Sequence, residues 1–342
     1  MRQIIVLIQA NWCIYPSSEP PFGGPPSPPR GRFGCGDYRS DKLQLTNRNT
    51  MKKRIFALGF FDGVHLGHQA LLRQCVTMAK ESGCEAAAVT FERHPRSLFS
   101  DTPPQLISTL ADRKRLMESY GIEYIQVIPV TVESLSTSWQ SFLEQLVEEG
   151  AAGFVCGGDF HFGHRGQGNS ALLQNFCRER DLPCFIVPEQ TLNGGRISST
   201  YIRCQIQLGD METAVRFLGH PYLLTGTVVP GKQLGRTLGI PTANLRLPEG
   251  VAVPKFGVYA CRCRIDGESY LAVTNVGTRP TVEGRGITVD PWILDYSGDL
   301  YGREITLEFY RFLRGEEKFP DLDSLKNRIH ADAQDTRALL TE

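Results

Sequence analysis

From residue 54 onward, apolar positions gather into short uninterrupted runs separated by stretches of helical period. Residues 55–61 form the first run, and 65–82 carry Leu66, Leu71, Leu72 and Cys75 on one side of a predicted helix. The alternation continues, with strands predicted at 86–91, 122–130, 153–157 and 184–187 and helices at 112–120, 139–149 and 169–180. Single helices between consecutive strands supply the crossovers that parallel neighbours need, so a doubly wound parallel sheet is expected. Beyond residue 208 the texture changes to short alternating runs at 222–229, 257–265, 268–276, 288–296 and 304–312, broken by glycine and proline turns. That is the signature of an antiparallel barrel or sandwich. A short helix at 210–218 connects the two halves. A last one at 321–340, with Leu322, Leu325, Ile329 and Ala333 at helical spacing, is expected to pack over the barrel. The fold class is therefore α/β plus β, divided as 51–205, a connector at 206–220, and 221–342.

Composition changes this picture mainly at the start. Residues 17–36, SSEPPFGGPPSPPRGRFGCG, bury too little apolar surface to offset their ordering entropy. Residues 1–50 are expected to be a disordered leader, either an over-extended start before Met51 or a proline-rich docking tail. The apolar patch IIVLI near the start is too short for a signal-peptide core, and no run is long enough to span a membrane. Basic and acidic residues balance at 37 each, which argues against a nucleic-acid or membrane-surface binder. The ten cysteines form no CxxC pair, and Cys261 and Cys263 have no second ligand pair nearby. Reduced buried thiols in a cytoplasmic protein, a monomer or weak homo-oligomer, are expected.

Two stretches carry candidate chemistry. GFFDGVHLGH (59–68) places a turn between a strand and a helix, where free amide donors and the helix dipole favour phosphate. His65 and His68, three residues apart, share the first helical turn and flank Gly67. No serine or cysteine nucleophile lies beside them, so they read as stabilisers of charge. RISSTYIR (196–203) adds Arg196, Ser199, Thr200 and Arg203 in a glycine-preceded loop expected to be flexible, a donor set suited to a triphosphate. The second stretch, GKQLGRTLGIPTAN (231–244), combines Gly231, Lys232, Gly235 and Arg236 as a phosphate-wrapping loop that lacks Walker A spacing. After it, Thr242 and Asn244 offer oxygens suited to hydrated Mg²⁺.

The first stretch resembles the HxGH signature that nucleotidyltransferases share with class I aminoacyl-tRNA synthetases. With TFERHPRSLF (90–99), CGGDFHFGHRGQGN (156–169) and RISSTYIR, it is similar to the bacterial FAD synthetases. GRTLGIPTAN, GVYA (257–260), NVGTRPTV (275–282) and LDYSGDLYG (294–302) resemble the riboflavin kinases, in order, over residues 222–340. Together they resemble the bacterial bifunctional riboflavin kinase/FAD synthetases. The resemblance implies a Rossmann-like nucleotidyltransferase domain and a β-barrel kinase domain acting on riboflavin, FMN, FAD and ATP with Mg²⁺. It implies ATP contacts at Gly59, Phe60, Phe61, Asp62, Gly63, His65, His68, Arg196, Ser199, Thr200 and Arg203, and flavin contacts at His94, Pro95, Asp159 and Phe160. In the kinase half it implies nucleotide contacts at Gly231, Lys232, Gly235 and Arg236, Mg²⁺ at Thr242 and Asn244, and a general base at Asp290. His65, His68, Arg203 and Asp290 are the implied catalytic set. Three positions depart from the family pattern: Phe60 for the frequent asparagine, His161 for the usual arginine, and Asp290 for the usual glutamate. A related nucleotidyltransferase with another substrate, or a flavin or nucleotide sensor, would share part of the pattern.

Overall fold

The apolar run at 55–61 supplies β1 (Arg54–Leu58), the middle strand of a five-stranded parallel sheet. The computed structural model describes residues 52–341 other than 232–234, 236–238 and 282–283; at 279–281 and 284–285 only the backbone is described. The expected leader, and Lys232 and Arg236, lie outside the described residues. With β2 (Glu85–Phe91), β3 (Tyr124–Ile128), β4 (Ala151–Gly157) and β5 (Cys184–Val187), the sheet order is β3-β2-β1-β4-β5. Strand alternation divides β1 between two cores. Ile55 and Ala57 face Leu71, Leu72, Cys75 and Ala79 of α1 (Leu66–Glu81), while Phe56 and Leu58 face Leu143 and Leu146 of α4 (Trp139–Glu148) and Leu173 and Phe176 of α5 (Ser170–Arg178). A further helix of this half, α2 (Leu110–Ser119), sends Met117 into the first core.

Three features here escape hydrophobic periodicity: the short helix α3 (Val132–Ser136), the two-residue strands β6 (Thr191–Leu192) and β7 (Gly195–Arg196), and α6 (Ser199–Leu208). The last is a correction, because the RISSTYIR stretch is not a loop. Ser198 caps the helix by accepting from the Tyr201 amide, and Ile202 and Ile206 turn its apolar face inward.

The second half is a closed antiparallel barrel of β8 (Tyr222–Val229), β9 (Asn244–Arg246), β10 (Gly257–Ile265), β11 (Glu268–Thr281), β12 (Gly284–Ile293) and β13 (Glu304–Arg314), in the order β10-β11-β12-β9-β8-β13. Closure removes the exposed sheet edge that invites aggregation. Its core, with Leu224, Tyr259, Val276, Val289 and Phe309, runs without a break into α6, α7 (Met211–Leu218) and Ile107. The expected connector helix is thus packed against the barrel. Leu106 forms a parallel bridge to Val251, and Thr225 donates to buried Asp112 at 2.7 Å, so both architectures share backbone and side-chain bonds.

The final helix, α8 (Leu322–Leu340), covers the barrel through Ala333 against Val258, Val273 and Leu294. Leu322 stays 60% exposed, contrary to the expectation from helical spacing, and its neighbours in the first turn are exposed with it. Fully buried Asp332 instead anchors this helix, accepting from Arg314 Nε at 3.0 Å and Nη2 at 2.8 Å. All eight described cysteines carry free thiols; burial pushes Cys263 up to about 12, so it is a packing group at neutral pH. No helix among the described residues is long and apolar enough to cross a membrane.

Removing Asp332 strands the nearly buried Arg314 charge. Asp332→Ala is expected to lower unfolding free energy by about 3–5 kcal/mol, measured by denaturant titration.

Candidate active sites

In an open parallel sheet, ligands bind outside the carboxyl ends of the strands where the winding direction reverses. The order β3-β2-β1-β4-β5 puts that reversal between β1 and β4. Residues 59–68 leave β1 there, and Gly158 to Gly168 leave β4. The exit from β1 is tight. Phe61, Gly63 and Val64 have φ of 58°, 73° and 41°, and a Cβ at Gly63 would come within 2.7 Å of Ile107 Cγ2. Side chains from distant elements hold this turn. Asp62 Oδ1 accepts the amides of Ile107 at 2.9 Å and Ser108 at 3.1 Å, and Arg203 Nη2 donates to Oδ2 at 3.0 Å. Ser108 Oγ accepts from the Gly63 amide at 2.9 Å, Ser199 Oγ donates to the Asp62 carbonyl at 3.0 Å, and His220 Nε2 lies 2.9 Å from the Gly63 carbonyl.

That geometry assigns places to the sequence-derived residues. Asp62 is 2% exposed and fully engaged with protein partners, so it shapes the turn rather than facing a ligand. Phe61 is wholly buried, edge-on to His68, and Phe162 is a core residue; neither forms an open aromatic wall. Phe60 is half-exposed and meets His94 edge-on at 5.2 Å, and Phe160 stacks on Phe162. Pro95 opens a single helical turn behind His94, whose Nδ1 accepts the Arg96 amide at 3.0 Å. Arg196 pairs with Asp159 and Glu189 at the mouth, while Thr200 is exposed in the first turn of α6.

The two histidines stack, with ring centroids 3.7 Å apart and planes 13° from parallel. His65 is the N-cap of α1: its Nδ1 accepts the His68 amide at 3.3 Å, which leaves the proton on Nε2. A Cβ at Gly67 would press to 3.3 Å on the His65 ring, so glycine keeps the cap in place. Desolvation by burial drives His65 down to about 4 and His68 well below its ordinary 6.5; neighbouring His65 and Arg113 depress His68 further. Both imidazoles are therefore neutral hydrogen-bonding groups near pH 7. Neutral rings can serve a ligand only as hydrogen-bonding groups, and the cations placed near them are arginines. Among these is Arg113 on α2, which sequence pattern did not single out because ADRKRL reads as a solvated helical face.

In the barrel, Ala243 donates to the Pro291 carbonyl at 2.9 Å, Thr242 bridges Trp292, and Leu245 pairs with Val289. This antiparallel register sets Asn244 opposite Asp290, which is also partnered across β11 by Asn275. Asp290 is 6% exposed, Asn244 half-buried and Thr242 exposed. A Cβ at Gly231 would collide with the Asn244 amide, and one at Gly235 with the Ile240 carbonyl. The two glycines therefore leave a close-fitting cradle around the PTAN segment. Here the sequence-derived Gly231, Gly235, Thr242, Asn244 and Asp290 come together.

Residues 47–201 match the FAD synthetase family model, and residues 218–340 match the riboflavin kinase family model. The bifunctional riboflavin kinase/FMN adenylyltransferase of Listeria monocytogenes is 36% identical over 301 residues, covering 87% of this chain and 96% of that protein. The chain belongs to the bifunctional riboflavin kinase/FMN adenylyltransferase family. The Bacillus subtilis member is 35% identical over 295 residues, covering 83% of this chain and 91% of its own. A crystal structure from Streptococcus pneumoniae, described as a macrolide-efflux protein, matches with TM-score 0.76 at 31% identity over 84% of this chain and 95% of that one. Family membership thus spans both candidate sites.

The histidine burial has a measurable consequence. Between the ordinary 6.5 and about 4, an unfolded chain takes up a proton at His65 that the folded site refuses. Folding stability is expected to fall as pH drops through that window and to be unaffected by His65 above it. Imidazole NMR should place the His65 midpoint near 4, not 6.5.

Proposed function

We propose that the chain makes FMN and then FAD: the barrel phosphorylates riboflavin with ATP, and the sheet half joins FMN to the AMP unit of a second ATP with release of pyrophosphate. Its working parts are residues 51–205 for adenylyl transfer, 206–220 as connector and 221–342 for the kinase, in a cytoplasmic setting that keeps its thiols reduced. What supports this reading is the presence on one chain of two separate candidate sites, one at the sheet's reversal point and one at the barrel's glycine cradle.

In the adenylyl-transfer site, the FMN phosphate is already ionised and needs no general base to attack the α-phosphorus of ATP. Gly59, Phe60 and the Gly63 turn bring backbone close to the nucleotide at the α1 N-terminus. His65 donates from Nε2, and His68 beside it shares the same face; Arg203 and Arg196 carry positive charge towards the phosphates, with Ser199 and Thr200 opening α6 next to them. His94, Pro95, Asp159 and Phe160 border the place of the flavin end.

In the barrel, Asp290 takes the proton of the riboflavin 5′-hydroxyl as that oxygen attacks the γ-phosphorus. The oxygens of Thr242 and Asn244, held against the Gly231 and Gly235 cradle, are hard donors that fit Mg²⁺. Bound there, the ion supplies charge neutralisation for the ATP phosphates. Lys232 and Arg236 contact the phosphates by family resemblance.

Riboflavin, ATP and Mg²⁺ incubated with purified protein should yield FMN and then FAD by chromatography; tight flavin binding without product would reject the reading. His68→Ala is expected to slow FAD formation from FMN about 100–1000-fold while leaving riboflavin phosphorylation intact. Asp290→Asn is expected to do the reverse, slowing FMN formation at least about 100-fold. Equal loss of both activities in either variant would contradict two separate sites.

A further inference from the structure

Arg113 is the largest wholly buried side chain in the protein's described part, with no measurable exposure. Its Nη1 donates to the Phe60 carbonyl at 2.9 Å and approaches Thr90 Oγ1 at 3.3 Å, yet Nε and Nη2 have no hydrogen-bond partner. Among the described residues no carboxylate lies within ion-pair distance of it. Its nearest acidic influence, Asp62, is neutralised by Arg203. Burial lowers Arg113 only to about 10, so it remains a cation at neutral pH. Burying an uncompensated guanidinium is costly, and a well-packed apolar side chain at this helical position would avoid that cost.

The surroundings point to what it serves. The guanidinium lies 4.5 Å from the Phe60 ring centroid, and Phe60 leans on His94. The charged and titratable groups that interact with it are Asp62 and His68 from the β1 exit and His94 behind β2, and Arg96 and Arg203 also bear on His94. On its own helix, Asp112 is bound to Thr225 and Arg115 to Glu304, both facing the barrel. Arg113 instead points to the β1 exit, where it bonds the Phe60 carbonyl.

We propose that Arg113 is a positioning residue for adenylyl transfer: it anchors the Phe60 carbonyl where the strained turn begins and holds a fixed positive charge beneath the substrate phosphates. This rests on the adenylyl-transfer reading above. With two neutral imidazoles at the surface of the site, a buried cation supplies field without competing for the phosphate oxygens. It also disfavours protonation of His68 and His94, so they stay neutral and do not become cations that would trap the triphosphate.

Full-length Arg113→Met and Arg113→Lys are the test, with riboflavin phosphorylation by the same molecule as the measure of folding. Arg113→Met is expected to lower kcat for FAD formation about 100-fold, with KM for FMN changed far less, and Arg113→Lys to recover at least about 10-fold of that loss. By NMR, the His94 midpoint should rise from near 4 in Arg113→Met and return in Arg113→Lys. FAD formation within about 3-fold of wild type in a kinase-competent Arg113→Met variant overturns the proposal, as does an unmoved His94 titration. If Arg113→Met also loses kinase activity, Arg113→Lys decides: with the kinase intact, FAD formation within about 10-fold of wild type supports the role and a larger loss overturns it. Wild-type protein that makes FMN but no FAD would instead refute the adenylyl-transfer reading itself.

Discussion

The turn that leaves β1 is held by one carboxylate. Phe61 and Val64 occupy left-handed backbone that costs non-glycine residues about 1–3 kcal/mol each, and Val64 is β-branched besides. Asp62 sits between them and receives two backbone amides and one guanidinium. Hydrogen bonds to a charged group contribute about 1.5–3 kcal/mol apiece, enough to offset strain of that size. Without them the chain would relax toward extended backbone, the helix N-terminus would swing away from the sheet's reversal point, and the stacked histidines would lose their common direction. The peptide groups around Asp62 are satisfied in the same manner, by Ser108, Ser199, His220 and Arg113, so the surface at the sheet's reversal point is assembled from parts of the chain more than a hundred residues apart.

The same anchor reaches the barrel. Ile107 and Ser108, which bind Asp62, follow directly on Leu106, whose amide donates to the Gly250 carbonyl and whose own carbonyl accepts from Ala252. One residue further along this stretch begins the approach to α2, where Asp112 bonds Thr225 on β8 and the next residue, Arg113, bonds Phe60. Consecutive side chains on one helix thus serve opposite partners. His220, at the entry to β8, touches Gly63. The barrel is therefore part of the scaffold that keeps the nucleotide turn in shape, which gives a physical reason for both activities to be carried by one chain.

Much of this was legible in the residues. Hydrophobic period placed nearly every main strand and helix within a few positions, since each buries an apolar face and period follows burial. The site motifs were legible because glycine and histidine spacing encodes backbone shape and donor direction. What escaped was set by tertiary contacts. Asp62 looked like a ligand-facing acid because no local pattern announces that its partners lie 45 residues away. RISSTYIR looked like a loop from the glycines before it and its own arginines, although the Ser198 cap followed by Ile202 and Ile206 at a four-residue step carried the helix signal. Arg113 left no signal at all, since a buried cation and a solvated one have the same letter.

The departure at Asp290 takes on a different meaning in the barrel. A carboxylate one methylene shorter must be brought closer by backbone, and the neighbouring Pro291 bears on how. In an antiparallel ladder, a residue's amide and carbonyl point to the same neighbouring strand. Pro291 accepts from the Ala243 amide but has no N–H to return, so the carbonyl of Ala243 receives no ladder bond. Regular pairing of β9 accordingly starts only at Asn244, and Thr242 joins β12 through the neighbouring Ala243 bond and a bridge to Trp292. Asn244 then lies opposite Asp290 at the point where the ladder begins, and β8 holds it there through Val229. The placement of the PTAN segment against the acid is thus a property of the proline as much as of the carboxylate beside it.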